Sequence, residues 1–381
     1  MIGIKYISPA DNSGYGVAAM AYLKGLIRSG IPVTWTPLVK GRSLGLAYEP
    51  CVESAPEGVA NDKMLASACC SPAAYDTVII HAVPEYIPHF ISREPEKRCL
   101  AYTAWETDLI PPHWPKLLER CRGVLVPSRF SREAFLRRGI RCPVHVIPHI
   151  AAEQPPAAAG WFQDIAPESF VFYTIAEWIP RKACDLVIKA YLRAFHAADN
   201  CALIVKTGKY DKSLPGWMQR IYTVRRQTAR MIARAAQPPK IELLDGNISA
   251  EQIHALHRRG NCFVSLTRGE GWGLGAFEAA AAGNPVIITG HGGQTEYFPA
   301  GYPYFVNHSL VHVKPNRNWS SYGPGQLWAE ADAGHAAHLM RRLATNPQEA
   351  KRIGETLRTG ITAHYGEKAV IGKLLDLLIR F

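Results

Sequence analysis

The 381-residue chain carries 43 Lys and Arg against 32 Asp and Glu, a formal net charge of +11, and 48% of its residues are hydrophobic. That is ordinary globular composition, and no apolar run reaches the roughly 18 residues that would span a bilayer, so a membrane-spanning chain is excluded. The length points to two domains, and the basic excess to an anionic partner: a nucleotide, a phosphorylated acceptor, nucleic acid or an acidic membrane surface. Nine scattered cysteines, with no C-x-x-C pair and with Cys69 next to Cys70, argue against a disulfide framework or a zinc clamp. They fit a reducing compartment, and with Met1 leading straight into the strand-like Ile2–Ser8 run a cytoplasmic location is expected.

After that first strand, Pro9-Ala-Asp-Asn-Ser-Gly14-Tyr15-Gly16 reads as a turn-rich loop, followed by a helix over about 17–28 and a second strand over 31–39. The order β–glycine loop–α–β opens a doubly wound sheet. Gly14 and Gly16 do not complete a G-x-G-x-x-G fingerprint, because Ala19 stands where the third glycine belongs. They suit either a turn that needs positive φ or a loop that reaches over a ligand. Residues 41–75 are expected to be loops with short helices. The strand 76–80 ends at His81 and the strand 98–103 runs into Trp105-Glu106-Thr107-Asp108. Polar residues at the carboxyl ends of strands stand where open α/β sheets bind ligands, although a lone His is as often structural. No Asp-x-Asp occurs, and no metal is expected. Further strands over 123–127 and 144–148, with a helix capped by Ser128 between them, carry the chain to His149.

The low-complexity stretch 151–160 is the best boundary in the chain. Beyond it the alternation restarts, with strands over 170–175, 202–206 and 240–244 and helices over 185–194, 216–236 and 250–259. The expected division is therefore 1–150, a linker over 151–160, 161–362, and a last helix in 363–381 that is apolar on one face and a candidate to return to the first domain. The reading is α/β, with two Rossmann-like domains facing a cleft. Glu177-Trp-Ile-Pro-Arg181-Lys182 and Lys206-Thr-Gly-Lys209 again collect at strand ends, and Lys182 stands where a diphosphate clamp would. The 216–236 segment is amphipathic, with Trp217, Ile221, Val224, Thr228 and Met231 on one face and Arg226, Arg230 and Arg234 on another. It either packs that stripe on the sheet or lies on an anionic membrane. Helices are expected over 326–345, 347–361 and 367–380.

The most informative stretch is Glu270-Gly-Trp-Gly-Leu-Gly-Ala-Phe-Glu278, continuing to Pro285. It follows the strand-like Cys262–Leu266, reads as a turn and then a helix over about 272–282, and precedes the strand 286–289. Two carboxylates eight positions apart, with glycines that admit a ligand to a helix start, suit a nucleotide-sugar site. From spacing alone a plain strand–turn–helix connection fits as well. Gly292, Gly293 and Glu296 occupy another loop beyond a strand end.

These residues resemble those of retaining glycosyltransferases of the GT-B fold, above all family 4. Glu270 and Glu278 look like that family's E-x7-E motif, and Asp245-Gly246-Asn-Ile-Ser249 resembles its segment before the base pocket. Gly14-Tyr15-Gly16 is similar to its N-terminal glycine loop, and Val146-Ile-Pro-His149 to its pre-linker signature. The resemblance implies that the first domain binds the acceptor and the second the nucleotide sugar. Glu278 would hold the ribose, and Glu270, with the backbone amides that follow it through Gly271, the donor sugar. Lys182 and Arg181, with the helix start at Gly273 and Leu274, would neutralise the diphosphate. Gly14 and Gly16 would approach the phosphates and Gly246 the base. His81 would line the sugar side, counted with Glu270 and Lys182 as catalytic, and Tyr15 and Glu106 would lie toward the acceptor. One departure is that the family's usual Arg five residues before the diphosphate Lys is Glu177 here, with Arg181, Lys206 and Arg268 the candidates to replace it.

The activity implied is metal-independent transfer of a sugar, with retention, from a UDP- or GDP-sugar to a hydroxyl of a glycan, glycolipid or polysaccharide precursor, with no cofactor. With no evident side-chain nucleophile, front-face attack is expected. A nucleotide-sugar epimerase on the same fold and a non-catalytic nucleotide-sugar-binding protein are the alternatives. No groove-reading motif supports nucleic-acid binding.

Overall fold

The computed structural model describes residues 3–41, 46–51, 55–151, 162, 164–314 and 321–381. The chain divides into two compact α/β units, Met1–Ala152 with Ala363–Phe381, and Glu153–Thr362. The expected linker 151–160 lies, Ala151 apart, outside the described residues.

The first unit begins β1 (Ile4–Pro9), α1 (Gly14–Arg28), β2 (Val33–Lys40), β3 (Tyr48–Pro50), α2 (Lys63–Ala68), β4 (Thr77–His81) and α3 (Ile87–Ile91). It continues through β5 (Arg98–Tyr102), α4 (Trp114–Leu118), β6 (Gly123–Val126), α5 (Arg129–Arg137) and β7 (Val144–Val146). The strands form one sheet in the order β3-β2-β1-β4-β5-β6-β7. All neighbours are parallel except the edge pair β2–β3. Every residue of the apolar run β4 is buried, as a central parallel strand covered on both faces requires.

Two glycines depart from the reading of the sequence. Gly14 and Gly16 belong to the first turn of α1 rather than to a loop, because the Ser13 side chain caps the helix by accepting from the Gly16 amide at 3.2 Å. Neither has positive φ. Gly16 is needed for space, since a Cβ there would lie 2.0 Å from the Asp11 carbonyl oxygen.

The second unit holds β8 (Phe170–Ile175), α6 (Cys184–Ala194), β9 (Cys201–Lys206), α7 (Gly216–Ile221), α8 (Val224–Ile232), β10 (Lys240–Leu244) and α9 (Ala250–Arg259). Next come β11 (Cys262–Ser265), α10 (Leu274–Ala281), β12 (Val286–Thr289), β13 (Phe305–Val306), β14 (His308–His312), β15 (Leu327–Ala331), α11 (Ala333–Thr345) and α12 (Pro347–Tyr365). Its parallel sheet has the order β10-β9-β8-β11-β12-β13, and β14 and β15 pair antiparallel beside it in the chain. Two expected helices differ. The 216–236 helix is broken at Tyr222, because the Thr223 side chain caps a new start at Val224. The 326–345 helix begins only at Ala333, where Asp332 caps it, and Leu327–Ala331 is a strand held by pairing with β14.

The chain closes with α13 (Glu367–Arg380), which belongs to the first unit. Its apolar face, Val370, Ile371, Leu374 and Leu378, is buried in the same core as Tyr22, Leu23 and Leu26 of α1. The two helices touch closely at Gly25, where a Cβ would meet Ile371 Cγ1 at 2.6 Å. Both ends are pinned, Glu367 to Arg28 at 2.6 Å and the Leu378 carbonyl to Arg98 Nη1 at 3.1 Å. Among the described residues no helix is long and apolar enough to cross a membrane.

Truncating a leucine in that core leaves a cavity, so Leu374→Ala is expected to lower stability by about 2–5 kcal/mol. Urea denaturation checks this: an unchanged midpoint would mean that α13 is not part of the cooperative core.

Candidate functional site

The sheet order places β8, β11 and β12 side by side, so the loops after their carboxyl ends are neighbours. The loop after β8 carries Arg181 and Lys182 and enters α6 through Ala183, which is left-handed at φ 48°. The loop after β11 carries Thr267 and Glu270 and enters α10 through Gly273, at φ 83°. Backbone stitches the loops: the Arg268 amide donates to the Arg181 carbonyl at 2.7 Å, and the Gly293 amide, after β12, to the Glu270 carbonyl at 2.8 Å. Gly292 makes that last contact possible, since its φ is 92° and a Cβ would stand 3.0 Å from the Glu270 oxygen.

Glu270 is the electrostatic centre of this arrangement. The residue is 7% exposed, and its Oε1 accepts from Lys182 Nζ at 2.5 Å and Thr267 Oγ1 at 3.0 Å, with Arg181 Nη1 at 3.2 Å. Burial pushes its carboxyl up, but the charges of Lys182 and then Arg181 outweigh that and hold it below its ordinary value. Arg181 also donates to the Gly269 carbonyl at 2.7 Å, which locks its guanidinium over the loop. Beside the cluster, α10 starts after Gly273 with no capping side chain, and the first amides of a helix have no partner within it.

Of the three cations expected to replace the missing Arg, only Arg181 joins the cluster. Arg268 is held instead by Glu330 of β15, with Nη2 to Oε1 at 2.8 Å, and by the Pro180 carbonyl. Lys206 Nζ donates to the Thr207 carbonyl at 3.3 Å. Glu177 points away, exposed and paired with Lys212.

Glu278 sits one turn into α10, half-buried, with His257 Nε2 3.9 Å from its Oε2. A hydrogen-bonded relay that the sequence did not reveal backs that imidazole. Asn284 Nδ2 lies 2.6 Å from the His257 carbonyl, which can only accept, so this atom is the amide nitrogen; it also donates to the Tyr173 hydroxyl at 2.9 Å. The Tyr173 hydroxyl in turn lies 2.9 Å from His257 Nδ1. His257 Nε2 is buried and has no hydrogen-bond partner among the described residues. The bonds join positions 84 and 111 residues apart, so no local pattern announces them.

The remaining expected residues lie elsewhere. Gly271 is buried in the loop, while Gly246 is exposed after β10, with nothing near a Cβ. Beside it, Arg225 grips Asp245 with two nitrogens at 2.7 and 3.2 Å. In the first unit, His81 is 1% exposed, hydrogen-bonded through Nδ1 to the Tyr6 hydroxyl at 2.8 Å, and ringed by Tyr15, Tyr22, Tyr102 and His149. Burial pushes His81 well below the ordinary imidazole range and His149 down to about 3. Tyr15, at the start of α1, shares a 2.8 Å hydrogen bond with Thr103 and accepts from the Ala104 amide, and burial pushes its phenol up to about 12. Glu106 is half-buried in the loop after β5.

Two α/β units with parallel sheets, the second bearing a buried carboxylate–cation cluster at its strand ends, have the GT-B fold. The protein family model described as "Glycosyl transferases group 1" matches residues 161–359, just over half of the chain, and the chain belongs to that family. A search of curated protein sequences finds no match. Among solved structures, HepE of Anabaena in complex with UDP-glucose is similar over the whole of both chains, at 14% identity and a TM-score of 0.68. Sucrose-phosphate synthase of Thermosynechococcus elongatus is similar over 100% of this chain and 99% of its own, at 15% identity and a TM-score of 0.68. A glycosyltransferase of Rickettsia africae is similar over 99% and 97%, at 15% identity and a TM-score of 0.63. Likeness at such identities is likeness of fold.

A carboxyl held below its unfolded value of about 4.5 contributes stability above that pH and loses it as pH falls toward the lower folded value. Lys182→Met should therefore cost about 1.5–3 kcal/mol near neutral pH, and distinctly less near pH 3. Urea midpoints at the two pH values decide it, an equal loss at both being incompatible with an ion-pair role.

Proposed function

We propose that the chain is a retaining glycosyltransferase resembling family 4, which transfers a sugar from a nucleoside-diphosphate sugar to a hydroxyl acceptor without a metal. The observation that carries this is the Arg181–Lys182–Glu270 cluster beside the uncapped start of α10. Two fixed cations and a set of helix amides suit a diphosphate whose negative charge grows as it leaves. The complex of HepE with UDP-glucose supports a UDP-sugar as the donor; a GDP-sugar is the competing choice.

In this reading the second unit holds the donor and the first the acceptor. Lys182 and Arg181 turn from Glu270 to the diphosphate, and Glu270, relieved of part of its pairing, accepts hydrogen bonds from the sugar hydroxyls. Gly271, Gly273 and Leu274 supply backbone amides, and Gly14 and Gly16 a helix start with little side-chain bulk. Glu278 accepts from the ribose hydroxyls, with the His257 ring behind it. Gly246 leaves room for the base. The bond from the anomeric carbon to the diphosphate oxygen breaks as the acceptor oxygen bonds the same face, and the acceptor proton passes to a donor phosphate oxygen. Tyr15 and Glu106 are assigned to the acceptor. His81, enclosed by rings, acts through Tyr15, against which it packs at 5.6 Å, as a positioning residue.

Isothermal titration with a panel of UDP- and GDP-sugars, followed by product analysis with and without acceptors, tests the reading. Glu278→Ala should weaken donor binding by about 1.5–3 kcal/mol with a smaller effect on turnover, and Lys182→Ala should mainly lower turnover. Interconversion of donors without any acceptor would identify an epimerase instead, and full nucleotide release by Lys182→Ala would remove the clamp assignment.

A further inference from the structure

The break at Tyr222 separates the amphipathic stripe of residues 217–235 into two faces with different fates. On α8, Val224 and Thr228 are buried in the second unit. On α7 nothing is buried: Trp217 is 68% exposed and Ile221 48%, and they stand one helical turn apart on one face. Tyr222 and Tyr210 are exposed as well, at 36% and 38%. Four large apolar side chains at the surface of one short segment cost solvation free energy that burial elsewhere in the fold does not recover.

The surroundings of that patch are basic. Residues 206–240 hold nine Lys and Arg against Asp211 alone. The carboxylates that reach the segment from other elements are already engaged, Glu177 with Lys212 and Asp245 with Arg225. Asp211 itself accepts from the Ser213 amide at 3.0 Å. Arg226 reaches back to the Ile221 carbonyl at 2.8 Å and Arg230 lies over the Tyr222 ring at 5.6 Å, so cations frame the apolar residues directly. Arg220, on α7 itself, is exposed, as is Arg234 just beyond α8.

We propose that α7 and the start of α8 form a docking surface for an anionic phospholipid bilayer. Trp217, Ile221 and Tyr222 enter the interfacial layer, and Arg220, Arg226, Arg230 and Arg234 meet the headgroup phosphates. The pairing of an aromatic and a branched aliphatic side chain with an arginine rim matches the two components of interfacial binding, apolar insertion and attraction to anionic lipid. Nucleic acid would use the arginines and stack on Trp217 or the tyrosines, but it gives an exposed Ile221 no partner. The surface belongs to the second unit and stands independently of the reaction proposed above.

Flotation of the full chain with phosphatidylcholine vesicles, with and without about one-third phosphatidylglycerol, tests this. The wild type is expected to float with the anionic vesicles, to bind phosphatidylcholine alone at least about tenfold more weakly, and to lose part of its affinity at high salt. Trp217→Ala/Ile221→Ser, whose side chains are exposed, should keep the wild-type melting curve and lower anionic-vesicle affinity about tenfold or more. Arg220→Glu/Arg230→Glu should do the same by the other component. Absence of wild-type flotation overturns the proposal, as does flotation unaffected by Trp217→Ala/Ile221→Ser. Binding to single-stranded DNA but not to vesicles, lost only on charge reversal, overturns it in favour of nucleic acid.

Discussion

A carboxylate buried among strand ends must be paired, and Glu270 meets that requirement by drawing partners from a second loop. Lys182 and Arg181 come from the loop after β8, Thr267 from its own, and the Glu270 backbone carbonyl holds the loop after β12 through Gly293. Buried ion pairs contribute little net stability, because desolvation offsets most of the attraction. What they fix is geometry. Three adjacent strands thus present their carboxyl ends as one surface, with two cations already gathered there before a charged group arrives. The proposed chemistry uses that same charge a second time, by letting a leaving diphosphate compete with Glu270 for Lys182 and Arg181.

The second carboxylate of the motif is handled differently. Behind Glu278 stands His257, its ring held by Tyr173 and, through Tyr173, by Asn284. The two glutamates thus stand in different surroundings, Glu270 between two cations and Glu278 before a buried imidazole.

Much of this was legible in the residues. The buried run Thr77–His81, the glycines at 271–275 and the restart of alternation after residue 160 each follow from periodicity and turn chemistry. The errors have physical causes. The hydrophobic period runs unbroken through Thr223, so a single helix was expected; the side-chain cap that breaks it is a local competition that periodicity does not register. Leu327–Ala331 consists largely of helix formers, and its pairing with β14 overrides propensity. Gly16 suggested freedom of φ, whereas the Asp11 carbonyl pressed against it required only the absence of a side chain. The Tyr173–His257–Asn284 relay was beyond reach, because it exists only once three distant segments have been packed.

The return of α13 to the first unit has a consequence for biogenesis. Ile371, Leu374 and Leu378 complete a core begun by Tyr22, Leu23 and Leu26, but they follow the whole second unit in the chain. During translation the first unit therefore waits, with an apolar groove along α1 open to water, while some 210 residues of the second unit leave the ribosome. The second unit has no such debt and can fold as it emerges. The order of maturation is thus the reverse of the order of synthesis, and the interval is the time when the nascent chain most needs a chaperone.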